Sequence, residues 1–522
     1  MSLRALGAAA LLTLMAACGA PARPIASRGP PIAAPKKEPS LFETLVADVR
    51  AHHVFSEQTQ KNLGRRWEEA LPVLEREFAE AKTDAALTVA LTHFVSSLHD
   101  AHCSFDPDGP AKVVALGVRA DVEWKDGKPR FYISRVDDAN KDRVAPGDAI
   151  RSIDGVAERD LVAHFLDVSR QNNLRSVALD VAEHLTRRRS TSSLTAEGDV
   201  SRWVVASSKT HADEMLTLTW TKASRHEVSF DEFAIDYERP WCSTLAARGY
   251  GPYEVTVRGM NFCVYASQVE PYKSHPIVRQ FSFLYLSSEG ETEHAQHRVR
   301  ADHDLLAREL GRLAPKGVLL DLRDNHGGND PNWFMDWYGS GPYVDRFVLE
   351  RLAPDLDTPD KLEAVGAGYV KEYLKELHDR TPDQTFMKPR PFFCKGDDCA
   401  WDNRYVPAHR VTKAPVALLV GPRCVSSCDS VAQLFAENHF GPLVGEPTAA
   451  AYTTNRIHRP IVVHGKTLGT MNLAFTREIS GKTHEPIEAV PLAIDVPIDR
   501  TFENRDAYDK LLVDAAIHKL TN

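Results

Sequence analysis

Three absences in this 522-residue sequence narrow its function: excess positive charge, long apolar runs and closely spaced cysteines. Lys and Arg number 63 against 72 Asp and Glu, and a net charge of −9 excludes the basic surface typical of nucleic-acid binding. Beyond residue 17, no segment approaches the ~20 apolar residues of a membrane-spanning helix. None of the eight cysteines forms a CxxC pair, so the usual spacing of a structural zinc site is missing.

The N-terminal 18 residues predict an export signal. Arg4 precedes an apolar run over residues 5–17, the pattern of a secretory signal peptide. Residues 16–18 (AAC) resemble a bacterial lipoprotein cleavage site, so we expect Cys18 to be lipidated and the protein to be periplasmic or held at the cell envelope. Cleavage near Ala20, giving an unanchored exported protein, is the alternative. Residues 19–40 are rich in Pro and Ala and predict an extended tether.

The rest of the chain is long enough for about three domains. Residues 41–106 predict a helical domain, which opens with a capping box formed by Ser40 and Glu43. Residues 107–225 show short strand patterns interrupted by a helical insertion near 161–189, and residues 226–522 alternate strand and helix patterns with a polar insert near 360–400. The chain is therefore predicted to be a multidomain α/β protein.

Ser426 lies at the most informative position of this pattern. It follows a short apolar stretch, residues 414–420, that predicts a buried strand, and precedes residues 431–437, which have helical spacing. A serine on such a turn exposes its hydroxyl at the positive end of the helix dipole, which favours a nucleophile that forms an oxyanion.

Four strings in this order resemble the tail-specific (C-terminal-processing) serine peptidase family. They are residues 98–105 (LHDAHCSF), 321–328 (DLRDNHGG), 426–429 (SSCD) followed by 444–448 (VGEPT), and 486–491 (PIEAVP). The resemblance covers residues 41–501 and is nearest the His-dependent branch with tricorn core protease and chlamydial protease-like activity factor. It implies a crotonase/ClpP-like catalytic core over residues 226–522. Residues 147–155 (GDAIRSIDG) resemble a PDZ domain, so residues 107–225 are expected to be PDZ-like.

Peptide-bond hydrolysis by serine needs a base, an acid that orients the base, and donors for the oxyanion. The resemblance assigns the nucleophile to Ser426 and the base to His102, whose imidazole titrates near working pH. Ser427 and His99 are the respective rivals. Glu488 is assigned as the orienting acid, with Glu485 as its rival.

The backbone N–H groups of Gly328, or alternatively Gly327, and of Ser427 are expected to form the oxyanion hole. The Ser–Lys branch of the family carries a lysine about 25 positions after the serine, and residues 449–453 (AAAYT) have none, so a Ser–Lys dyad is not expected. A metal site at His294, His297, His303 and Asp304 is the competing interpretation, but the segment lacks the HExxH glutamate. No cofactor and no metal are predicted.

Seven cysteines remain after Cys18, and export permits disulfides. Cys394–Cys399 and Cys242–Cys263 are the pairs expected, while Cys424 and Cys428 bracket Ser426 and could form a redox-sensitive bridge. The sequence thus predicts an exported serine endopeptidase that acts on protein or peptide substrates through an acyl-enzyme. The alternative is an inactive protein of the same fold that binds peptides or hydrophobic ligands.

Overall fold

The computed structural model describes residues 39–223, 242, 250–285, 292–328, 332–367, 369–392 and 403–522. The signal segment with Cys18, most of the tether, and the Cys394–Cys399 pair lie outside these residues. Within them the chain is a mixed α/β fold, as the sequence predicts. The helices are α1 (Leu41–His52), α2 (Glu57–Leu63), α3 (Leu71–Glu80), α4 (Asp84–Ser96), α5 (Leu161–His164), α6 (Leu174–Thr186), α7 (Thr292–Leu313), α8 (Asn332–Tyr338), α9 (Pro359–Ala364), α10 (Val370–Asp379), α11 (Ser427–Asn438) and α12 (Tyr508–Thr521).

A seven-stranded sheet forms the centre of the C-terminal half, in the order β11-β12-β13-β14-β19-β20-β23. Its strands from β13 onward are parallel. Their bounds are β11 (Tyr253–Arg258), β12 (Phe262–Ser267), β13 (Ile277–Gln280), β14 (Val318–Asp321), β19 (Val416–Val420), β20 (Leu443–Gly445) and β23 (Val496–Pro497).

Both faces of this sheet are buried because side chains alternate across it. Leu320 and Leu418 pack on the side of α7 and α11, whereas Leu319 and Leu419 pack on the side of α12. The continuous apolar run of β19, which predicted a buried strand, is explained by this double coverage.

A second sheet joins the N-terminal helices to the C-terminal half. Strand β1 pairs antiparallel with β22, and α1 and α4 pack on β22 in one shared apolar core. The strands of this sheet are β1 (Ser104–Pro107), β16 (Phe347–Glu350), β17 (Arg390–Pro391), β21 (Thr454–Val463) and β22 (Lys466–Ile479). Helix α1 begins with the predicted capping box, in which Ser40 N–H donates to Glu43 Oε2 at 2.7 Å.

A third sheet, in the order β3-β4-β5-β8-β9 with β6 on β5, packs against α6. The sequence predicts a helical insertion near 161–189. In the structure this segment forms helices α5 and α6, and its last residues form strand β7. The remaining strands are β2 (Val113–Ala115), β3 (Val118–Lys125), β4 (Lys128–Val136), β5 (Ala149–Ile153), β6 (Val156–Ala157), β7 (Arg187–Arg189), β8 (Val200–Ala206), β9 (Asp213–Thr219), β10 (Thr221–Lys222), β15 (Tyr343–Val344) and β18 (Arg404–Tyr405).

No helix among the described residues is long and apolar enough to cross a bilayer.

Candidate active site

Ser426 occupies a strained turn between β19 and α11. Its φ of 63° and ψ of −124° are unusual for a non-glycine residue, and such strain persists only where surrounding contacts hold it. Val425 N–H donates to the carbonyl of Asn325 at 3.2 Å, and a disulfide joins Cys424 to Cys428 across the turn. The turn therefore presents the Ser426 side chain ahead of the first turn of α11.

Asp429 fixes the same turn from inside the helix. One carboxylate oxygen accepts from Ser426 N–H at 2.9 Å and from Ala451 N–H at 3.0 Å, and the other accepts from Ala450 N–H at 2.8 Å. Burial raises the pKa of Asp429 to about 7, against these donors, which favour the ionised form. Asp429 therefore joins the nucleophile turn to the loop at residues 449–453.

His102 reaches Ser426 from the N-terminal part of the chain. It lies between α4 and β1, and the pairing of β1 with β22 fixes its place. The distance from His102 Nε2 to Ser426 Oγ is 2.8 Å. Burial lowers the pKa of His102 to about 4, because a charged imidazolium is poorly solvated there, while Asp100 opposes this shift. The imidazole is thus neutral at neutral pH and can accept a proton.

The other ring nitrogen of His102 contacts a residue that the sequence did not single out. Nδ1 lies 3.0 Å from Thr453 Oγ1, and the Thr453 hydroxyl donates to Asp100 Oδ1 at 2.7 Å. Asp100 Oδ1 also accepts from the backbone N–H of His102 at 2.9 Å, and Asp100 Oδ2 lies 3.2 Å from His53 Nε2. Burial alone would raise the pKa of Asp100, but the hydrogen bond and charge of His53, with His102 and Thr453, lower it to about 2.

Glu488 lies close to the loop at residues 449–453, and its carboxylate contacts groups other than His102. It is buried, but its carboxylate accepts from Asn172 Nδ2 at 2.7 Å and from Tyr452 N–H at 2.5 Å, while His102 Nδ1 faces Thr453. Burial, with the charge of Asp100 nearby, raises the pKa of Glu488 well above its ordinary value. A direct carboxylate–imidazole contact with Glu488 is therefore absent among these described residues, and its rival Glu485 is exposed.

Ser427 and His99, the alternative candidates for nucleophile and base, each contact a backbone carbonyl. The Ser427 hydroxyl donates to the carbonyl of Gly328 at 3.1 Å. His99 Nδ1 lies 3.1 Å from the carbonyl of Ser169, and burial lowers its pKa to about 4. In these contacts the Ser427 hydroxyl and the His99 imidazole bind other residues and not each other.

The glycine turn after β14 lies beside Ser426, because β14 and β19 are neighbouring parallel strands whose carboxyl ends meet at one edge. Gly327 N–H donates to Asn325 Oδ1 at 2.8 Å, so that donor is already used. Gly327 has a φ of +85°, and a Cβ there would lie 2.8 Å from Ser426 Cβ and 2.7 Å from the carbonyl of Val425. A side chain at this position would displace the nucleophile turn.

A cavity of about 420 Å³ opens at these residues. His102, Gly328, Ser426 and Ser427 line it, together with polar and aromatic side chains: Arg346, Glu350, Tyr369, Phe392, Arg456 and Glu478. A separate cleft of about 2070 Å³ reaches the same turn through Gly327, Gly328 and Val425. Gly328 lines both the cavity and the cleft, so the two spaces lie next to each other beside the Ser426 turn.

Two of the candidate metal ligands predicted from the sequence, His303 and Asp304, contact each other. His303 lies 3.0 Å from Asp304 Oδ1 and 3.0 Å from the carbonyl of His409, and the side chain of His294 lies outside the described residues. Within the described part of the chain, the three-residue cluster able to offer metal ligands is His53, Asp100 and Cys103. Both Asp100 oxygens already have hydrogen-bond partners.

The cysteine pairing agrees in part with the sequence. Cys242 and Cys263 form the expected disulfide, and Cys424 and Cys428 form the second one described. Cys103 is free and buried, and its Sγ accepts from Ala474 N–H at 3.3 Å.

Solved structures with a similar fold include mature CPAF, with a TM-score of 0.66 at 13% identity, covering 91% of this chain and 95% of that one. The chain has the CPAF fold. Mature CPAF complexed with lactacystin gives a TM-score of 0.64 at 13% identity over 91% of this chain and 97% of its own. A CPAF mutant gives a TM-score of 0.62 at 13% identity, covering 92% of this chain and 97% of its own. No family model and no curated protein matches the sequence. At the level of the fold, the likeness confirms the resemblance to the branch containing chlamydial protease-like activity factor.

Proposed function

We propose that this protein is a serine peptidase in which Ser426 is the nucleophile and His102 the general base. Ser426 Oγ attacks the substrate carbonyl while its proton passes to His102 Nε2, which then protonates the leaving amine. Water, activated by the same imidazole, hydrolyses the acyl-enzyme. The observation that carries the proposal is the 2.8 Å contact of Ser426 Oγ with His102 Nε2 at a positive-φ turn that begins a helix.

The oxyanion would be held by the N–H groups of Ser427 and Gly328. Ser427 is the first residue of α11, so its N–H has no acceptor within the helix, and the helix dipole favours negative charge there. Of the two glycines considered, Gly327 donates to Asn325, which favours Gly328 as the second donor. Both candidate donor residues line the cavity that contains Ser426.

Glu488 supports this site through the loop that contacts His102. Its carboxylate accepts from Tyr452 N–H, and the next residue, Thr453, meets the imidazole. We therefore place Glu488 in the architecture of the site without a direct contact to the base. Its role as the third member of a Ser–His–Glu triad stays a prediction from the motif resemblance.

The substrate class proposed is protein or peptide. The turn that carries Ser426 contributes residues to both the cavity and the larger cleft, which together offer room for an extended chain. Export and lipidation at Cys18 remain predictions from the N-terminal sequence. Mass spectrometry of the mature N-terminus, with Cys18→Ala as the comparison, would detect the lipid.

Labelling by a fluorophosphonate probe tests the nucleophile. Wild type and Ser427→Ala should be labelled, because the hydroxyl of Ser427 is turned to Gly328, whereas Ser426→Ala should not be labelled. Wild type and Ser427→Ala should also hydrolyse an unstructured protein substrate, whereas Ser426→Ala should not. Labelling retained in Ser426→Ala, or lost only in Ser427→Ala, would overturn the assignment. No labelling of folded wild type would favour the inactive binding protein.

A further inference from the structure

We propose that Asp100, acting through the hydroxyl of Thr453, is the acid that orients the imidazole of His102. Both are positioning residues, since neither touches the substrate bond. The inference rests on the proposed function and assigns to Asp100 and Thr453 the role that the motif resemblance gives to Glu488.

The direction of the Thr453 hydroxyl proton determines which group donates in each of these hydrogen bonds. An ionised carboxylate only accepts hydrogen bonds, and a threonine hydroxyl has a single proton to donate. Thr453 donates that proton to Asp100 Oδ1 at 2.7 Å. Toward His102 Nδ1, at 3.0 Å, Thr453 Oγ1 can therefore act only as an acceptor.

It follows that the neutral imidazole of His102 carries its proton on Nδ1. Nε2 is then unprotonated and faces Ser426 Oγ at 2.8 Å, where it can accept the serine proton. If the Thr453 hydroxyl turned around and donated to Nδ1, the ring proton would sit on Nε2, and Nε2 could not act as the base. Asp100 thus sets the tautomer of His102 across one intervening hydroxyl group.

The hydrogen bonds of Asp100 keep its carboxylate ionised in this position. Its Oδ1 also accepts from His102 N–H at 2.9 Å, and its Oδ2 lies 3.2 Å from His53 Nε2. These contacts favour the carboxylate over the neutral acid, and they also fix the backbone that carries the base. The pKa of Asp100, lowered to about 2, agrees with this geometry.

The charges around His102 make Asp100 the counter-charge of the imidazolium. Arg170 and Arg456 both disfavour a positive ring, whereas Asp100 favours it. The other titratable groups near Asp100 are His53, the Cys103 thiol and Glu488, which is itself bonded to Asn172 and Tyr452. When the serine proton reaches Nε2, the new charge faces Asp100 across the Thr453 oxygen.

Thr453→Val and Thr453→Ser are the matched pair that tests the relay, by which we mean the hydrogen bonds from His102 through Thr453 to Asp100. Valine keeps the shape but removes the acceptor, so kcat should fall on the order of 100-fold with KM changed less than about threefold. Serine restores the hydroxyl and should remain within about fivefold of wild type. Equal rates for the valine variant and wild type would overturn the proposal.

Asp100→Asn and Glu488→Gln separate the two acids by pH profile. Loss of the Asp100 charge should lower kcat and move the acid limb of kcat/KM to lower pH, because that charge raises the pKa of His102. Glu488→Gln should leave the position of that limb unchanged. A shift in Glu488→Gln with none in Asp100→Asn would contradict the relay. If Asp100→Asn does not fold, the Thr453 pair still decides.

The ring tautomer gives a readout that does not need activity. In ¹⁵N-histidine-labelled protein, the His102 signals, identified by their loss in His102→Asn, should show a protonated Nδ1 and an unprotonated Nε2. Thr453→Val should shift the ring toward the other tautomer, and Thr453→Ser should not. A protonated Nε2 in wild type would overturn the relay, whereas wild type with the expected tautomer but no hydrolysis or labelling would overturn only the proposed function.

Discussion

At the scale of single residues, the site combines a strained serine with a histidine kept neutral by burial. Ser426 adopts a positive φ that few non-glycine residues adopt, and His102 is almost fully enclosed beside it. The lowered pKa of His102 should appear in the pH dependence of hydrolysis, and the close packing of Gly327 against Ser426 should make the site sensitive to a side chain at residue 327.

The pH dependence of hydrolysis should reflect the lowered pKa of His102. Its pKa falls from 6.5 to about 4 because burial disfavours the charged ring, so the neutral, competent base is present above about pH 4 and is lost below it. We expect the acid limb of kcat/KM that reports His102 to reach its half-maximum near pH 4. A half-maximum near 6.5, in protein shown to be folded by circular dichroism, would contradict this.

Gly327→Ala should inactivate the enzyme without unfolding it. The φ of +85° disfavours alanine, and the new methyl would lie 2.7 Å from the Val425 carbonyl, so the nucleophile turn must shift. The expected loss in kcat/KM is on the order of 100-fold or more. Gly311→Ala in α7 is the control, because its Cβ meets nothing within 4 Å and alanine favours a helix. Activity retained in Gly327→Ala would show that the turn tolerates the displacement.

At the scale of elements, short segments hold the side chains of the proposed nucleophile and base in place. The β1–β22 pairing holds His102, while β19 and α11 present Ser426. The Cys424–Cys428 disulfide closes a small ring around the turn, with Cys428 already in the first turn of α11. The ring covalently restrains the folded turn, and it also limits the conformations of the unfolded chain, which raises the free energy of unfolding.

Removal of that disulfide should lower activity. Cys424→Ala with Cys428→Ala releases the turn, and loss of a ring this short should lower the free energy of unfolding by about 2 kcal/mol. Cys242→Ala with Cys263→Ala is the matched control, because the described hydrogen bonds of Ser426 do not involve that bridge, and kcat should stay unchanged. Equal hydrolysis with and without a mild reductant, and in both double variants, would remove the redox hypothesis.

At the scale of the whole molecule, the site is assembled from three parts of the chain. His102 and Asp100 follow the N-terminal helices, and Ser426 and Thr453 belong to the C-terminal half. The segment before α6 contributes from a third direction: Asn172 Nδ2 donates to the carbonyl of Ala450 at 2.8 Å and to Glu488. Packing between these parts therefore belongs to the catalytic architecture.

Asn172→Ala should weaken the whole assembly. It removes one of two donors from each of two buried acceptors, since the Ala450 carbonyl keeps Ala489 N–H and Glu488 keeps Tyr452 N–H, and should lower the free energy of unfolding by about 1–3 kcal/mol. Thermal unfolding monitored by circular dichroism measures the change, with the exposed C-terminal Asn522→Ala as the control. A melting temperature equal to that of wild type would show that the contact contributes little.

The sequence by itself determined the local elements and the two reacting residues proposed here. The apolar run of β19, the helical spacing of α11 and the capping box of α1 are short-range signals, because backbone hydrogen bonding and side-chain periodicity act over a few residues. Ser426 and His102 were recognisable because each stands inside a short string of motif residues.

Only the tertiary structure decided what surrounds the base. Thr453 lies 351 positions from His102 in the chain, and no local pattern distinguishes its hydroxyl from any other. Glu488 stood in a recognisable string, yet loop packing turned its carboxylate toward Asn172 and Tyr452. Hydrogen-bond partners of a buried side chain depend on positions within a few tenths of an ångström, and those are set by how distant segments pack.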